Sequence, residues 1–253
     1  MTQLDLAMAA EVSTRHLSCL ETGRARPSED MVLLLAANLD VPLREQNAML
    51  EAAGFEHLFD EPSLAEGLDP VLSFALERML AKHEPYPMFV MNRRYDILRC
   101  NHGAARMLRH LNVDPAARPN AYRLLFDPAL GRPFVADWPR AGRALLSRLH
   151  REALHRPEDG SLHELVEALL AYPDVPETWR QPDFSIPNLP TYALQLDMGG
   201  QALRFLTTVT AFNAPSNVTL EELRIESWFP LDPATDAVCA AADRDLRVPS
   251  ANE

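Results

Sequence analysis

The sequence is short of the residues that mark several classes of protein. Its three cysteines (Cys19, Cys100 and Cys239) lie far apart, which excludes a disulfide-rich scaffold and a cysteine zinc site. No run of apolar residues approaches the length of about 18 that a membrane-spanning helix needs. The first ten residues lack the basic segment of a signal peptide. These shortages predict a globular, cytoplasmic protein without a membrane span.

Positive charge is also scarce, and it is unevenly distributed. The chain has 24 Lys and Arg against 36 Asp and Glu, a net charge of −12, and Lys82 is its only lysine. This balance argues against broad, non-specific binding to nucleic acid, but it leaves room for a local basic surface. Residues 13–26 form such a segment, because Arg15, Arg24 and Arg26 face a single acid there, Glu21.

Residues 3–54 have the periodicity of short amphipathic helices. Ser13 and Ser28 are favoured N-cap residues, and Gly23 stands where a left-handed residue ends a helix. Connections of only a few residues join these helices. We therefore predict a compact, all-α domain over residues 1–57.

After a predicted linker at residues 58–68, the patterns in the rest of the chain indicate both helices and strands. A helix at Asp69–His83 precedes a hairpin with strands at Pro87–Met91 and Tyr95–Cys100, a helical middle and three further strands. The last of these strands is predicted from Leu223, Ile225, Ser227 and Phe229 at alternate positions. Gly199-Gly200 is typical of a two-residue hairpin turn. These patterns predict an α+β domain with an antiparallel sheet at residues 69–240, followed by a disordered tail at residues 241–253.

Residues 3–27 resemble the helix-turn-helix of the phage-repressor and Cro-like superfamily. The resemblance rests on the segments Gln3–Ala7 and Ser13–Arg24 and on the ending Leu20-Glu21-x-Gly23-x-x-x-Pro27. In that superfamily the second helix enters the major groove and places its N-terminal residues on base edges. We expect one side of both helices to be buried through Leu4, Ala7, Val12, Leu17 and Leu20.

The resemblance implies which residues contact DNA. Gln3 would lie near a phosphate or base, Arg24 near a phosphate, and Arg15 is the most specific candidate because arginine can bind guanine O6 and N7 bidentately. The full set of implied DNA-binding residues is Gln3, Ser13, Thr14, Arg15, His16, Cys19 and Arg24.

The chain departs from the superfamily in two places. Members normally carry a helix before the one at Gln3, so we expect that first helix to be missing here and the apolar face of residues 4–39 to be partly uncovered. Glu11 stands where the superfamily prefers glycine, and a glutamate held at positive φ would cost about 1 kcal/mol.

A second resemblance covers residues 69–240. Leu98-x-x-Asn101, Asn120-x-x-Arg123-x-x-Phe126-Asp127-Pro128 and Asp137-Trp138 before a long helix look like the sensor domain of MmyB-like regulators. That family joins a Cro-like domain to a PAS-like fold, which binds a fatty acid or another small lipophilic molecule. The implied ligand-binding residues are Phe89, Leu98, Met107, Tyr122, Arg123, Trp138, Leu145 and Phe205, with Tyr122 and Arg123 as candidates for the carboxylate.

No catalytic residue, metal site or required cofactor emerges from the remaining sequence. His163-Glu164 begins a zincin motif that lacks its second histidine. We therefore predict a transcription regulator that binds an operator in double-stranded DNA as a homodimer and senses a small apolar ligand. Its helix at Asp69–His83 would couple the two domains. The alternatives are a protein-interaction adaptor with a degenerate helix-turn-helix that does not bind DNA, and an enzyme that uses the PAS-like cavity.

Overall fold

The computed structural model of the chain describes residues 1–62, 70–155, 160–187, 191–212 and 217–247. The chain divides into two compact units. The N-terminal unit contains Met1–Leu68 together with Phe212–Glu222, and the sensor unit contains Asp69–Ala211 together with Leu223–Glu253.

The N-terminal unit is helical, as the sequence predicts. Its helices are α1 (Gln3–Ala9), α2 (Thr14–Glu21), α3 (Glu29–Asn38), α4 (Leu43–Ala53) and the later α10 (Val218–Glu222). Ser13 Oγ accepts a hydrogen bond from the backbone N of His16 at 3.1 Å, and Ser28 caps α3 in the same way. Gly23 has a φ of 71°. Both predicted N-caps and the left-handed glycine are therefore confirmed.

The buried side of the helix-turn-helix differs from the prediction in one residue. Leu6, Ala7 and Leu17 form its core, whereas Leu4 is 58% exposed. Leu4 is wrongly predicted as buried. It lies one helical turn before the exposed Met8 on the same side of α1, so this part of the apolar face is uncovered.

The segment Phe212–Glu222 belongs to the N-terminal unit, although the sequence patterns place it inside the 69–240 domain. Helix α4 begins after Pro42, whose side chain cannot cap it. Glu221 Oε2 instead accepts a hydrogen bond from the backbone N of Leu43 at 2.8 Å. Arg44 Nε donates to Glu222 Oε1 at 2.7 Å. Helix α10 thus supplies a hydrogen-bond acceptor and negative charge at the N-terminus of α4.

The start of the predicted linker is bound to α4. The buried side chain of Asn47 accepts hydrogen bonds from the backbone N of Leu58 and of Phe59, and it donates to Phe59 O. Residues 58–62 are therefore held in place, and the rest of the predicted linker, residues 63–68, lies outside the described residues.

The sensor unit contains the five predicted strands and six helices within the described ranges. The strands are β1 (Met88–Met91), β2 (Ile97–Cys100), β3 (Thr191–Asp197), β4 (Ala202–Thr210) and β5 (Arg224–Pro230). The helices are α5 (Pro70–Lys82), α6 (His102–His110), α7 (Ala121–Phe126), α8 (Trp138–His155), α9 (Gly160–Leu170) and α11 (Pro233–Arg247).

The five strands form one antiparallel sheet in the order β2-β1-β5-β4-β3. Gly199 and Gly200 have φ angles of 68° and 86° and turn β3 into β4 as predicted. The predicted α+β class, with an antiparallel sheet and flanking helices, is confirmed.

Two boundaries in the sensor unit differ from the sequence analysis. Strand β2 begins at Ile97 rather than Tyr95, because Tyr95 has a left-handed φ of 65° that does not fit a strand. The predicted tail at residues 241–253 is wrong up to Arg247, where α11 ends. Residues 248–253 lie outside the described residues. None of the helices in the described part of the chain is long and apolar enough to cross a membrane.

Candidate DNA-binding surface, ligand cavity and arginine cleft

Helix α2 presents the predicted DNA-reading residues to solvent. Thr14, Arg15 and His16 are exposed in its first turn, while Leu17 is 2% exposed and anchors the helix in the core. Cys19 is half-buried. Within the described ranges Arg15 has no carboxylate partner, so its guanidinium is available to an incoming ligand.

The other predicted DNA-binding residues have structural contacts as well. Ser13 caps α2 through the hydroxyl oxygen, and Gln3 Nε2 donates to Glu21 Oε2 at 2.6 Å, which joins the start of α1 to the end of α2. Arg24 is exposed. Glu11 has a φ of 54°, so the positive φ expected at this turn is confirmed.

An inner cavity of about 100 Å³ lies between the sheet and helices α6, α7 and α8. Its wall is mostly apolar. Four of the eight predicted ligand-binding residues line it: Phe89, Met107, Tyr122 and Leu145. This volume is smaller than the roughly 300–1,000 Å³ of a usual ligand pocket, so a long ligand requires the wall to move.

The other four predicted residues do not line the inner cavity. Leu98 alternates with Ile97, which lines it, so the two side chains point to opposite faces of the sheet. Arg123 is exposed on α7. Phe205 is 1% exposed and packs against Trp228, with ring centroids 5.3 Å apart.

Trp138 lies in an aromatic cluster instead of at the cavity. Its ring stacks on Trp179 at 5.3 Å and meets Phe126 edge-on at 5.5 Å. Its Nε1 donates to Leu125 O at 2.8 Å. A Cβ added to Gly142 would come within 3.1 Å of Trp179, so glycine allows α8 to pack closely on this cluster. Trp138 therefore positions α8.

The inner cavity contains a carboxyl group that the sequence analysis missed. Glu226 lines the wall, and its Oε1 accepts a hydrogen bond from Trp228 Nε1 at 2.8 Å. Burial raises the pKa of Glu226 more than this hydrogen bond and the charge of Arg148 lower it. The strand pattern found β5, but it favoured the odd-numbered face. Successive side chains of a strand point to opposite faces of the sheet. Ile225 is buried on one face, and Glu226 and Trp228 lie on the other, where they line the cavity.

An ion-pair network borders the cavity through Arg148. Glu152 accepts hydrogen bonds from Tyr95 OH at 2.7 Å, from Arg224 Nη2 at 3.1 Å and from Arg148 Nε at 3.3 Å. Burial tends to raise the pKa of Glu152, but the charge of Arg224 and the hydrogen bonds hold it below its ordinary value of 4.5. Burial and the nearby Glu152 raise the pKa of Tyr95 to about 12. Arg148 is therefore held by a charged carboxylate.

A second, larger space of about 1,240 Å³ lies beside the inner cavity, and we call it the arginine cleft. Five arginines border it: Arg140, Arg143, Arg148 and Arg151 of α8 and Arg204 of β4. Leu145, Arg148, Tyr192 and Leu194 border both spaces, so these four side chains form the partition between them.

Most arginines of α8 are fixed by neighbouring groups. Arg143 Nη2 forms an ion pair with Asp183 Oδ2 at 2.5 Å. Arg151 Nη2 donates to the carbonyl oxygens of Asp183, at 3.0 Å, and of Ile186. Arg140 is exposed at the edge of the cleft. The cleft therefore presents a preorganised, positively charged wall. Across the described residues, no three His, Cys, Asp or Glu side chains cluster as they would around a metal ion.

Two family models match the chain. The model of the MmyB-like transcription regulator ligand binding domain matches residues 72–242, and a helix-turn-helix model matches residues 1–46. Both describe domains of transcription regulators, and neither is an enzyme family. No curated protein matches the chain.

Two solved structures are similar to the chain at low identity. An RNA-binding light-oxygen-voltage receptor is 12% identical, with a TM-score of 0.32, and the match covers 96% of this chain and 62% of the receptor chain. The chain thus spans less than two thirds of that receptor. The PAS domain of BvgS from Bordetella pertussis is 13% identical, with a TM-score of 0.28, and the match covers 69% of this chain and 99% of that domain.

Proposed function

This chain belongs to the MmyB-like transcription regulators, and we propose that a small lipophilic effector, such as a fatty acid, controls its binding to an operator in double-stranded DNA. A DNA-binding regulator with a ligand-binding domain follows from the two family matches. The nature of the effector, the base-reading residues, the dimer and a cytoplasmic location are the proposal. The observation that carries it is the apolar inner cavity between the sheet and helices α6, α7 and α8.

The exposure of the first turn of α2 supports the DNA-binding part of the proposal. Arg15 has the reach and the free guanidinium to bind guanine bidentately, with Thr14 and His16 beside it. Arg24, also exposed, would contact a phosphate. Because one helix-turn-helix reads only one half-site, we propose a homodimer on a two-fold symmetric operator.

Helix α5 offers an apolar surface for that dimer. Val71 is 75% exposed and Phe74 is 63% exposed. Sedimentation of the wild type and of Phe74→Ser tests this surface. We expect a dimer for the wild type and a weaker dimer for the variant, and a monomeric wild type at every concentration, with and without DNA, would contradict the proposal.

The placement of the cavity residues supports a ligand with an acyl chain. The chain would pack on Phe89, Met107 and Leu145, and the adaptable side chain of Met107 suits a wall that widens around it. Arg148 in the partition, rather than the exposed Arg123, would then be the nearest cation for a carboxylate.

The β4–β5 connection supports a route by which the effector acts on the DNA-binding unit. The effector changes DNA affinity only if it binds two states of the protein differently. The connection leaves the sheet after β4, contributes α10 to the N-terminal unit and returns to the sheet as β5. A shift of β5 around a ligand would therefore be transmitted along the chain to Glu221 and Glu222, which hold the start of α4.

A chain-length series tests the ligand part of the proposal. Saturated fatty acids from about six to sixteen carbons are titrated into the full chain by calorimetry. Each methylene that becomes buried should contribute about 0.8 kcal/mol, so affinity should rise steeply and then level off when the cavity is full. A flat response across all chain lengths would contradict an acyl-binding cavity.

Two leucines of α8 provide a matched pair of variants for the same titration. Leu145 lies in the partition, whereas Leu154 is 54% exposed and borders neither space. Leu145→Gln should weaken binding of the longer fatty acids, and Leu154→Gln should leave it unchanged. Native mass spectrometry of protein purified from cells then identifies the effector that the cell supplies.

A further inference from the structure

Helix α8 has a surplus of positive charge. This helix carries four arginines and a single acid, Glu152, in a protein with a net charge of −12. All four arginines border the arginine cleft. Pairs spaced three apart, such as Arg140 and Arg143, are neighbours on the helix surface, where like charges repel. A bound anion would relieve that repulsion.

We propose that the arginine cleft binds the phosphate-bearing head group of an amphiphile whose acyl chain occupies the inner cavity. This inference rests on the proposed function, since it specifies the head group of the same effector. It differs from a simple fatty acid in the size and charge of that head group.

The volume of the cleft favours a head group larger than a carboxylate. At about 1,240 Å³ the cleft exceeds the roughly 300–1,000 Å³ of pockets that hold a whole drug-sized ligand. The inner cavity, at about 100 Å³, is by contrast small, and its apolar wall would have to widen around an acyl chain.

The arrangement of the arginines favours phosphate. A guanidinium presents its N–H groups in a planar fork that matches two phosphate oxygens. Asp183 holds Arg143, and backbone carbonyl oxygens hold Arg151, so these side chains lose little rotamer freedom when an anion binds. Arg140 is exposed and can close on the anion from the edge of the cleft.

The acidic groups near the cleft leave a positive surplus. Asp183 and Glu152 are engaged with Arg143 and Arg148, and Asp137 is a further acid on the cleft wall. Arg204 is near the half-buried Asp232. Arg140 and Arg151 have no carboxylate partner within the described residues. They lie eleven residues apart on α8, about 16 Å along the helix axis, so one phosphate cannot contact both. We assign Arg140, whose side chain is exposed, to the phosphate.

The partition between the two spaces matches the junction of an amphiphile. Leu145 and Leu194 supply apolar contacts, while Arg148 and Tyr192 supply polar ones at the same boundary. Burial raises the pKa of Tyr192, so its hydroxyl stays protonated and can donate a hydrogen bond. A ligand that passes the partition therefore changes from an apolar to a polar environment at the point where its acyl chain ends.

Matched probes with one chain length test the head group. Dodecyl phosphate, dodecanoate and 1-dodecanol are titrated into the full chain by calorimetry, below their aggregation limits. We expect dodecyl phosphate to bind about tenfold or more tightly than dodecanoate, and dodecanol to bind most weakly. Dodecanoate binding as tightly as dodecyl phosphate would overturn this inference while leaving the proposed function intact. If no probe binds, the proposed function fails as well.

Inorganic phosphate and pyrophosphate distinguish an amphiphile site from a bare anion site. We expect both to bind far more weakly than dodecyl phosphate, because they make no contact in the inner cavity. If inorganic phosphate binds as tightly as dodecyl phosphate, the acyl chain contributes nothing and the inference is overturned.

Two arginine variants complete the test. Arg140→Gln should weaken dodecyl phosphate about tenfold and leave dodecanol unchanged, and because Arg140 is exposed this variant keeps the fold. Arg123→Gln removes an exposed arginine outside the cleft and should have no effect. Unchanged dodecyl phosphate affinity in Arg140→Gln, or an equal loss in Arg123→Gln, would contradict the assignment.

Discussion

Helix α2 leaves its one arginine exposed, whereas α8 holds three of its four arginines through neighbouring groups. The arginine of α2, Arg15, is exposed and has no carboxylate partner among the described residues. In α8, Arg143 and Arg148 are each held by an acid, and Arg151 is held by backbone carbonyl groups. Helix α8 carries four arginines and one acid, whereas α2 carries one arginine and one acid.

The difference follows from the kind of anion that each helix would meet. DNA brings a long row of phosphates and base edges, so a mobile arginine can find its partner after the protein has docked. A small ligand offers only one head group, so side chains that are already fixed bind it with less loss of entropy. Variants that remove the ion pairs of Glu152 and variants that remove Arg15 test the two sides of this comparison separately.

The largest effect is expected from Glu152→Gln, which removes the charge that holds Arg148 and Arg224. Breaking a buried ion pair usually costs about 3–5 kcal/mol. The side chain of Glu152 is 23% exposed, so we expect a loss of roughly 2–4 kcal/mol in the free energy of unfolding. Urea unfolding at pH 7 measures it, and Glu164→Gln, at an exposed site on α9, is the matched control.

The same network predicts a pH dependence. The pKa of Glu152 is lower in the folded protein than its ordinary value of 4.5, so its stabilisation is fully present above that value and is lost as the pH falls through the folded pKa. Wild type should therefore lose more stability than Glu152→Gln when the pH is lowered from about 6 to 3. Parallel curves for the two proteins would show that the network does not stabilise the fold.

The next effect concerns Arg15. Replacing it by alanine should weaken operator binding by about 1–3 kcal/mol and relax base preference at one position. Arg24→Ala should instead weaken binding to all sequences alike and reduce the slope of affinity against salt. Operator selection followed by titration at several salt concentrations separates the two. If Arg15→Ala binds with unchanged affinity and base preference, the alternative hypothesis of a protein-interaction adaptor that does not bind DNA is favoured.

The exposed face of α2 could be predicted from sequence, and the lining of the inner cavity only in part. The helix-turn-helix is a local pattern, and the spacing of Ser13, Leu17 and Gly23 fixes which side chains project outward. The cavity depends on contacts between distant segments. The alternation in β5 located the strand but did not reveal that Glu226 faces the cavity, because buried residues lie on both faces of the sheet.

The arginines of α8 show the same limit more clearly. In the sequence they are typical of a solvated helix face. Only the folding of residues 183–187 and of β3 against α8 turns that face into one wall of a cleft. Helix α10 was missed for a related reason, since its partners on α4 lie more than a hundred residues earlier in the chain.

A smaller effect is expected from Glu222→Gln, which tests whether the effector acts on DNA binding through α10. It weakens the ion pair with Arg44 and should reduce the coupling between ligand and operator by about 0.5–2 kcal/mol, with little change in ligand affinity alone. Glu51→Gln, on the exposed side of α4, is the control. Coupling of wild-type strength in Glu222→Gln would exclude this route.

The smallest effect is expected from Glu226→Gln. The pKa of Glu226 is raised by burial, so in the wild type stability declines as the pH rises from the ordinary carboxyl value through the folded pKa. The variant lacks this decline and should show a slightly higher urea midpoint at pH 7 and none of that gain at pH 4. A lower midpoint at pH 7 would mean that the charged carboxylate is stabilised in the fold.

The most direct test of the account compares operator affinity with and without the effector. The selected operator is titrated with the full chain in one buffer, in the absence and in the presence of saturating dodecyl phosphate or dodecanoate. A ligand-responsive regulator predicts a change of about fivefold or more, matched by an equal change in ligand affinity when the operator is bound. Identical operator affinity under both conditions, with the acyl ligand demonstrably bound, would contradict the account.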